Sequence, residues 1–429
     1  MFKKVLSVAV IFIILMFLLA YYEPILNGVK GIVGDSVNPD MRMFPEEAEF
    51  KVKRVITVST SGGPVAEYTV RASNPVNMPG DGSLQTIVSF DKSPAPTTTI
   101  PKVDGFDVLL WKDTDYSGTT QIVLNYHVKA RSYQWKITEK NSDNISAIDP
   151  AVAAQYNHDE WAIVDKYGAP VDFDGDLLQD YRMNPNNPLI GQLSKDRTSG
   201  KTNSFAAVKA IYDYMVNNYK YPSQDQMQKD AEKNWNLPKC PLVTMKDGYG
   251  DCDDQSLLFC SLCRAAGIPA WLELGALYDS VKGSWVGHGW ANVYIPMKDG
   301  SYQICTVDCV NQEFLFRDCF RYTDWIDTGG DVNFEGQIKN NLDYYYHLFS
   351  SRSSSASPGS GNIDDNLVKV SFSSEGMINK PIDGPGGKYI LPGLNQKSSP
   401  GPDAAVAVSA LAVLALMMAV VSRHTIGNR

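Results

Sequence analysis

Between residues 50 and 135 apolar and polar positions alternate in short runs: Phe50–Val58, Glu67–Val70, Thr86–Phe90, Phe106–Trp111 and Gln121–Trp135. Turns rich in Gly, Pro and Asp separate them. Period-two alternation marks strands with one buried face, and a series of them predicts an antiparallel β-sandwich. No cluster of His, Cys or acidic residues interrupts it, so the stretch reads as scaffold. Further along the period changes. Phe205, Val208, Ile211, Tyr212, Met215, Val216 and Tyr219 recur at helical spacing and predict an amphipathic helix over 204–219. A second apolar run, Leu257–Cys263, follows Asp251, Asp253 and Asp254 and stops at Gly267 and Pro269. Acids suit a helix start, glycine the left-handed position past its end, and proline blocks resumption.

That second helix begins with a thiol. Cys252 falls in its first turn, where backbone N–H groups lack intrahelical partners and the dipole favours a thiolate. A thiolate nucleophile needs a base, and the base needs a third group to hold its ring. Of five histidines, His424 follows a C-terminal apolar segment, His127 lies in an alternating strand and His347 precedes a linker. Between the remaining His158 and His288, His288 is better placed. Gly287–Ile295 reads as a strand entered through glycines, with Trp290 beside the imidazole. Tyr302–Asp308 reads as the next strand, joined through Lys298-Asp299-Gly300, so the pair forms a hairpin. Asp308, at a half-exposed strand end, then lies next to His288, with Asp324 and Asn311 as the next candidates for the third group.

Gly-Asp-Cys-Asp-Asp at 250–254, Arg264-Ala265-Ala266-Gly267-Ile268-Pro269-Ala270, His288 before Trp290, and Val307-Asp308 together resemble the transglutaminase-like superfamily over roughly residues 200 to 330. The resemblance implies an α+β, papain-like core, a nucleophile helix on an antiparallel sheet, with Cys252, His288 and Asp308 as a triad for acyl transfer from an amide. The backbone N–H of Cys252 supplies part of the oxyanion hole, and Gln255, Trp235 and Tyr249 are candidates for the second donor. The outcome is hydrolysis by a protease or amidase, or cross-linking by a protein-glutamine acyltransferase. Trp271 stands where many relatives carry a basic residue, which bears on pocket specificity, and Gly289 where alanine is common. The alternative is a catalytically inactive surface-binding or adhesion protein that keeps the fold.

Both ends of the chain are apolar. Val5–Tyr22 and Ala404–Val421 are 18 residues each without a charge, long enough to span a bilayer. Lys3 and Lys4 flank one, Arg423 and Arg429 the other, so the positive-inside rule predicts both termini in the cytoplasm and all between them outside. The N-terminal segment reads as an anchor over a cleaved signal, for lack of a good small-residue cleavage site. Ser399-Pro400-Gly401-Pro402 and the apolar, basic tail behind it resemble the tails of surface proteins processed by archaeal sorting enzymes. The expected layout is an anchor at 1–22, a β-sandwich-like domain at 23–149, a bridge at 150–200 and a catalytic domain at 201–349. A Ser/Gly/Pro-rich linker and stalk at 350–403, with one strand near 367–372, leads to a transmembrane segment at 404–429.

Net charge of −9 excludes a nucleic-acid binder, leaving the membrane and an extracellular protein or peptide substrate as partners. No cofactor is expected. Asp172, Asp174, Asp176 and Asp180 form a weak Ca²⁺ candidate, since Gly175 comes too early and Met183 replaces the bidentate Glu of an EF-hand. The six cysteines besides Cys252 lie between 240 and 319, and the sequence chooses neither a pairing nor a redox state for them. Cys260-x-x-Cys263 with Cys305 and Cys309 has zinc-like composition, but the first pair falls mid-helix without a knuckle turn. Asn144-Ile145-Ser146 is a glycosylation sequon suited to a surface loop outside the cell.

Overall fold

The computed structural model describes residues 47–74, 77–78, 84–103, 106–163, 169–232, 238–279, 284–327 and 329, with further backbone strands at 352–355, 362–363, 369–374 and 378–379. The alternating runs are strands. β1 (Glu47–Ser61), β2 (Val65–Ser73), β3 (Gln85–Ser93), β4 (Thr98–Val103), β5 (Phe106–Tyr116) and β6 (Thr119–Arg131) form two antiparallel sheets, one ordered β1-β6-β3 and the other β2-β5-β4. Burial alternates along β1, as the sequence pattern requires. The inward residues of both sheets, among them Phe50, Val52, Val70, Trp111, Leu124 and Tyr126, meet in one apolar core.

The second layer is a five-stranded antiparallel sheet wrapped by helices. Its short flanking strands are β7 (Tyr133–Gln134), β8 (Glu160–Ala162) and β9 (Tyr181–Met183). The sheet itself comprises β10 (Ala270–Asp279), β11 (Ser284–Pro296), β12 (Tyr302–Asp308), β13 (Glu313–Phe314) and β15 (Arg321–Ile326), in the order β13-β12-β11-β10-β15, while β14 (Phe316–Arg317) pairs with β7. The helices are α1 (Pro150–Tyr156), α2 (Pro188–Thr198), α3 (Ser204–Asn218), α4 (Gln224–Glu232), α5 (Pro241–Asp247) and α6 (Cys252–Ala265). β11 and β12 form the expected hairpin, closed by Gly300 at φ +82°.

α6 is the central helix. Asp251 and Asp254 exchange side-chain-to-backbone hydrogen bonds at its start, a capping box. At its end Gly267 takes φ +83°, with Gly267 N donating to Arg264 O and Ile268 N to Cys263 O, a Schellman motif. Nearly every residue from Asp253 to Arg264 is buried. α2 docks on α6 through Ser194 Oγ, which donates to Leu262 O at 2.7 Å, so the segment expected as a bridge is partly built into the second layer.

The segment expected as linker and stalk also departs from its reading. β16 (Arg352–Ser355) pairs with β2, while β17 (Asn362–Ile363), β18 (Lys369–Ser374) and β19 (Ile378–Asn379) pair with β1. β1 and β2 would otherwise leave long rows of backbone donors and acceptors open at the sheet edges, and the returning chain covers them. Val5–Tyr22, Ala404–Val421 and most of 350–403 lie outside the described residues. Among the described residues, no helix is long and apolar enough to cross a membrane.

Sandwich and second layer share packing. Ala276, Trp285, Cys319 and Tyr322 belong to the sandwich core, with Phe50 and Trp285 rings 4.6 Å apart. Beside them Arg54 of β1 and Asp324 of β15 form a buried ion pair at 3.3 Å, and Gln85 exchanges two hydrogen bonds with the Thr323 backbone.

Candidate active site

Three elements bring the site together: the start of α6, the first half of β11 and the end of β12. His288 Nε2 lies 2.7 Å from Asp308 Oδ2. The ladder pairs Ala291 with Val307, so Trp290 is opposite Asp308 and His288 reaches it diagonally along the same face of the sheet. Asp308 is not half-exposed. It is 1% accessible and accepts from Asn311 N at 3.0 Å and Asn311 Nδ2 at 2.9 Å, with Arg321 Nη2 at 2.8 Å. Burial alone would push the Asp308 carboxyl up, but His288 and then Arg321 outweigh it and hold the group well below the usual carboxylate range. Because Nε2 serves Asp308, Nδ1 is the nitrogen left to handle a proton.

Gly289 explains how β11 comes so close to the helix. A Cβ there would stand 2.8 Å from Leu274 Cδ2 and 3.4 Å from Asp253 Cα, so glycine lets the strand lie against the first turn of α6 with Leu274 left in place. The Gly289 N–H in turn bonds the Cys252 sulfur and favours its thiolate. Two effects oppose it. Burial raises the Cys252 thiol well above its ordinary value, and Asp253 and Asp251 raise it further. The helix dipole is therefore not sufficient by itself to favour the thiolate. Asp254, pushed up to about 7 by burial and Asp251, lies 3.5 Å from Lys239.

The oxyanion candidates are placed as follows. Gln255 is buried and its Nε2 donates to Gly250 O at 2.7 Å. The Tyr249 hydroxyl donates to Asp230 Oδ1 at 3.2 Å. Both groups are committed elsewhere, and Trp235 lies outside the described residues. The Cys252 N–H, at the first helical position, has no intrahelical acceptor. Sequence reasoning missed Tyr221. The residue is 52% exposed, and its hydroxyl is raised by burial, then by Cys252, Asp251 and Asp253. No local motif marks it. A parallel bridge between Lys220 and Tyr249 fixes the backbone next to it.

Of the alternatives for the third group, Asp324 falls away and pairs with Arg54, whereas Asn311 lies in the centre, 3.1 Å from His288 Nε2. Trp271 is buried and stacked on Tyr156 at 4.6 Å. All seven cysteines are free thiols, six of them buried and Cys252 half-buried. Carboxylate oxygens of Asp172, Asp174 and Asp176 lie within 4.8 Å of one another on the surface, whereas Asp180 is buried and accepts from Phe173 N and Asn184 Nδ2.

A helix-borne thiol against an antiparallel sheet that carries a paired His and Asp is a papain-like arrangement. Residues 191–307 match the family model of the transglutaminase-like superfamily, and the chain carries a domain of that superfamily there. The match includes Cys252 and His288 and stops one residue before Asp308. No curated protein sequence matches the chain. Among solved structures, a candidate cysteine protease from Cytophaga hutchinsonii is 15% identical, over 78% of this chain and 93% of that one, with a TM-score of 0.48. The periplasmic domain of TgpA from Pseudomonas aeruginosa is 13% identical, over 65% of this chain and 95% of that one, with a TM-score of 0.28.

Proposed function

We propose that the protein is a membrane-tethered, extracytoplasmic cysteine acyl-transfer enzyme acting on protein or peptide amides through Cys252, His288 and Asp308. The observation that carries the reading is the 2.7 Å pair of His288 Nε2 and Asp308 Oδ2, one residue from the Gly289 N–H that meets the Cys252 sulfur. His288 Nδ1 takes the Cys252 proton, and the thiolate attacks the amide carbonyl to form a tetrahedral oxyanion. The Cys252 N–H is the first donor to that oxyanion, and Tyr221, whose hydroxyl feels Cys252 and Asp251, is the candidate for a second. Collapse expels the amine or ammonia with the proton held by His288, leaving a thioester. Water then gives hydrolysis, and a lysine amine gives a cross-link. Asp308 holds the ring in the Nε2–H tautomer and stabilises the imidazolium.

Tethering rests on the two charge-free terminal segments and their basic outer flanks. A membrane-impermeant protease added to intact cells should release the domain, and complete protection reverses the topology. The chemistry is tested by incubating the purified protein with a peptide library containing Gln and Lys and reading masses for hydrolysis or ammonia loss. Product that disappears in Cys252→Ser establishes acyl transfer. A library left unchanged points instead to a binding module that retains the fold.

A further inference from the structure

Behind the His288–Asp308 pair lies a buried cluster that the reaction itself does not use. Arg321 on β15 is fully buried, and its guanidinium faces three carboxylates. Nη2 is 2.8 Å from Asp308 Oδ2 and also donates to Glu313 Oε2, while Nε donates to Asp318 Oδ2 at 2.6 Å. The guanidinium carbon sits 5.0 Å from the centre of the Trp290 ring, the indole beside His288.

We infer that Arg321 is a positioning residue for this site: its fork ties Asp308 to Glu313 and Asp318 and keeps the Asp308 carboxylate ionised and aimed at His288. The inference rests on the reading of Cys252, His288 and Asp308 as the reacting groups. Three buried carboxylates this close cannot all stay ionised without a cation among them. The groups that face Asp308 are His288 from β11, Arg321 from β15, Tyr212 from α3, Cys252 from α6, its neighbour Cys309 and Asn311. Of these Arg321 alone carries a positive charge at every working pH. Without it the three acids share protons, Asp308 ceases to be a full anion, and His288 loses the partner that favours its imidazolium. The Cys252 thiolate, already disfavoured by burial and by Asp253 and Asp251, then forms only at higher pH.

The test reads thiolate formation directly and needs no substrate. Iodoacetamide alkylation of Cys252 in the detergent-solubilised full chain is followed by mass spectrometry from pH 5 to 9, in the unmodified protein and in His288→Ala, Arg321→Met and Arg321→Lys. In Arg321→Met the onset should rise by about one pH unit, which makes alkylation about tenfold slower near neutrality. Arg321→Lys should shift it the same way but less, because one ammonium cannot fill a planar fork. A folded Arg321→Met or Arg321→Lys protein with a lower melting temperature and an unshifted profile would give Arg321 a purely structural role and overturn the inference. If Arg321→Met does not fold, Arg321→Lys is read by the same criterion. A His288→Ala profile identical to the parent overturns the Cys252–His288 reading itself, a failure distinct from an Arg321 effect that is missing while the His288 effect is present.

Discussion

Gly275 lies opposite His288 in the β10–β11 ladder, and a Cβ at that position would stand 1.9 Å from the Tyr322 carbonyl oxygen. β15 presses its backbone onto β10 at the row that carries the imidazole, beside an irregularity in the β10–β15 register. Gly275→Ala must displace backbone and should cost about 4 kcal/mol or prevent folding. Gly289→Ala meets the movable tip of Leu274 first and should cost about 1–2 kcal/mol. Urea midpoints of the two variants check the order, and the reverse order would contradict the packing described.

Asp308→Asn should reduce turnover about 10⁴-fold, since the amide supports the wrong imidazole tautomer. Its burial against Arg321 makes it costly for folding too, about 3 kcal/mol, because one partner of a buried ion pair is lost. Single-turnover acylation and melting temperature on one preparation separate the effects. Near-normal acylation per folded molecule would remove Asp308 from the chemistry.

Asp254 sets a pH slope on stability. Its folded value, pushed up to about 7, exceeds that of an unfolded aspartate, so the native state binds more protons than the unfolded chain between about pH 4 and pH 7. Stability from this group is present below that window and is lost as pH rises through it. Asp254→Asn should therefore show a shallower fall in denaturant midpoint from pH 5 to pH 8 than the parent, with some slope remaining from Asp253, also raised by burial and by Asp251. An unchanged slope would contradict this.

Cys252 should be the first thiol labelled. The other six are buried, whereas Cys252 is half-buried and so within reach of a reagent. Peptide mapping after brief iodoacetamide treatment of the folded protein should find one modified site, and equal labelling of Cys252 and Cys319 would argue against a distinct nucleophile.

How much of this was legible in the chain depended on range. The α6 boundaries were readable because caps are local: Asp251, Asp254 and Gly267 act on backbone groups within a few residues. The β11–β12 hairpin was readable for the same reason. Arg321 was not, since nothing near it in sequence announces a carboxylate at 308. Nor was the pair of Arg54 and Asp324, separated by 270 positions. The return of residues 352–379 to the sandwich was legible only in the strand expected near 367–372, which overlaps β18; the Ser- and Gly-rich composition around it carries no sign of the open strand edges it covers. The exposed end assigned to Asp308 was wrong for a related reason: burial there comes from Arg321 and Asn311, not from the strand's own pattern.

The seam at β15 sets a rule for cutting the molecule. Asp324 answers to Arg54 in the sandwich, and Arg321, three residues earlier on the same strand, answers to Asp308. An expression fragment starting near residue 190, where the family match begins, would retain every reacting group yet leave Asp324 without its cation and Trp285 and Tyr322 without their apolar cover. The smallest piece worth crystallising or assaying therefore starts at β1, more than two hundred residues before the nucleophile.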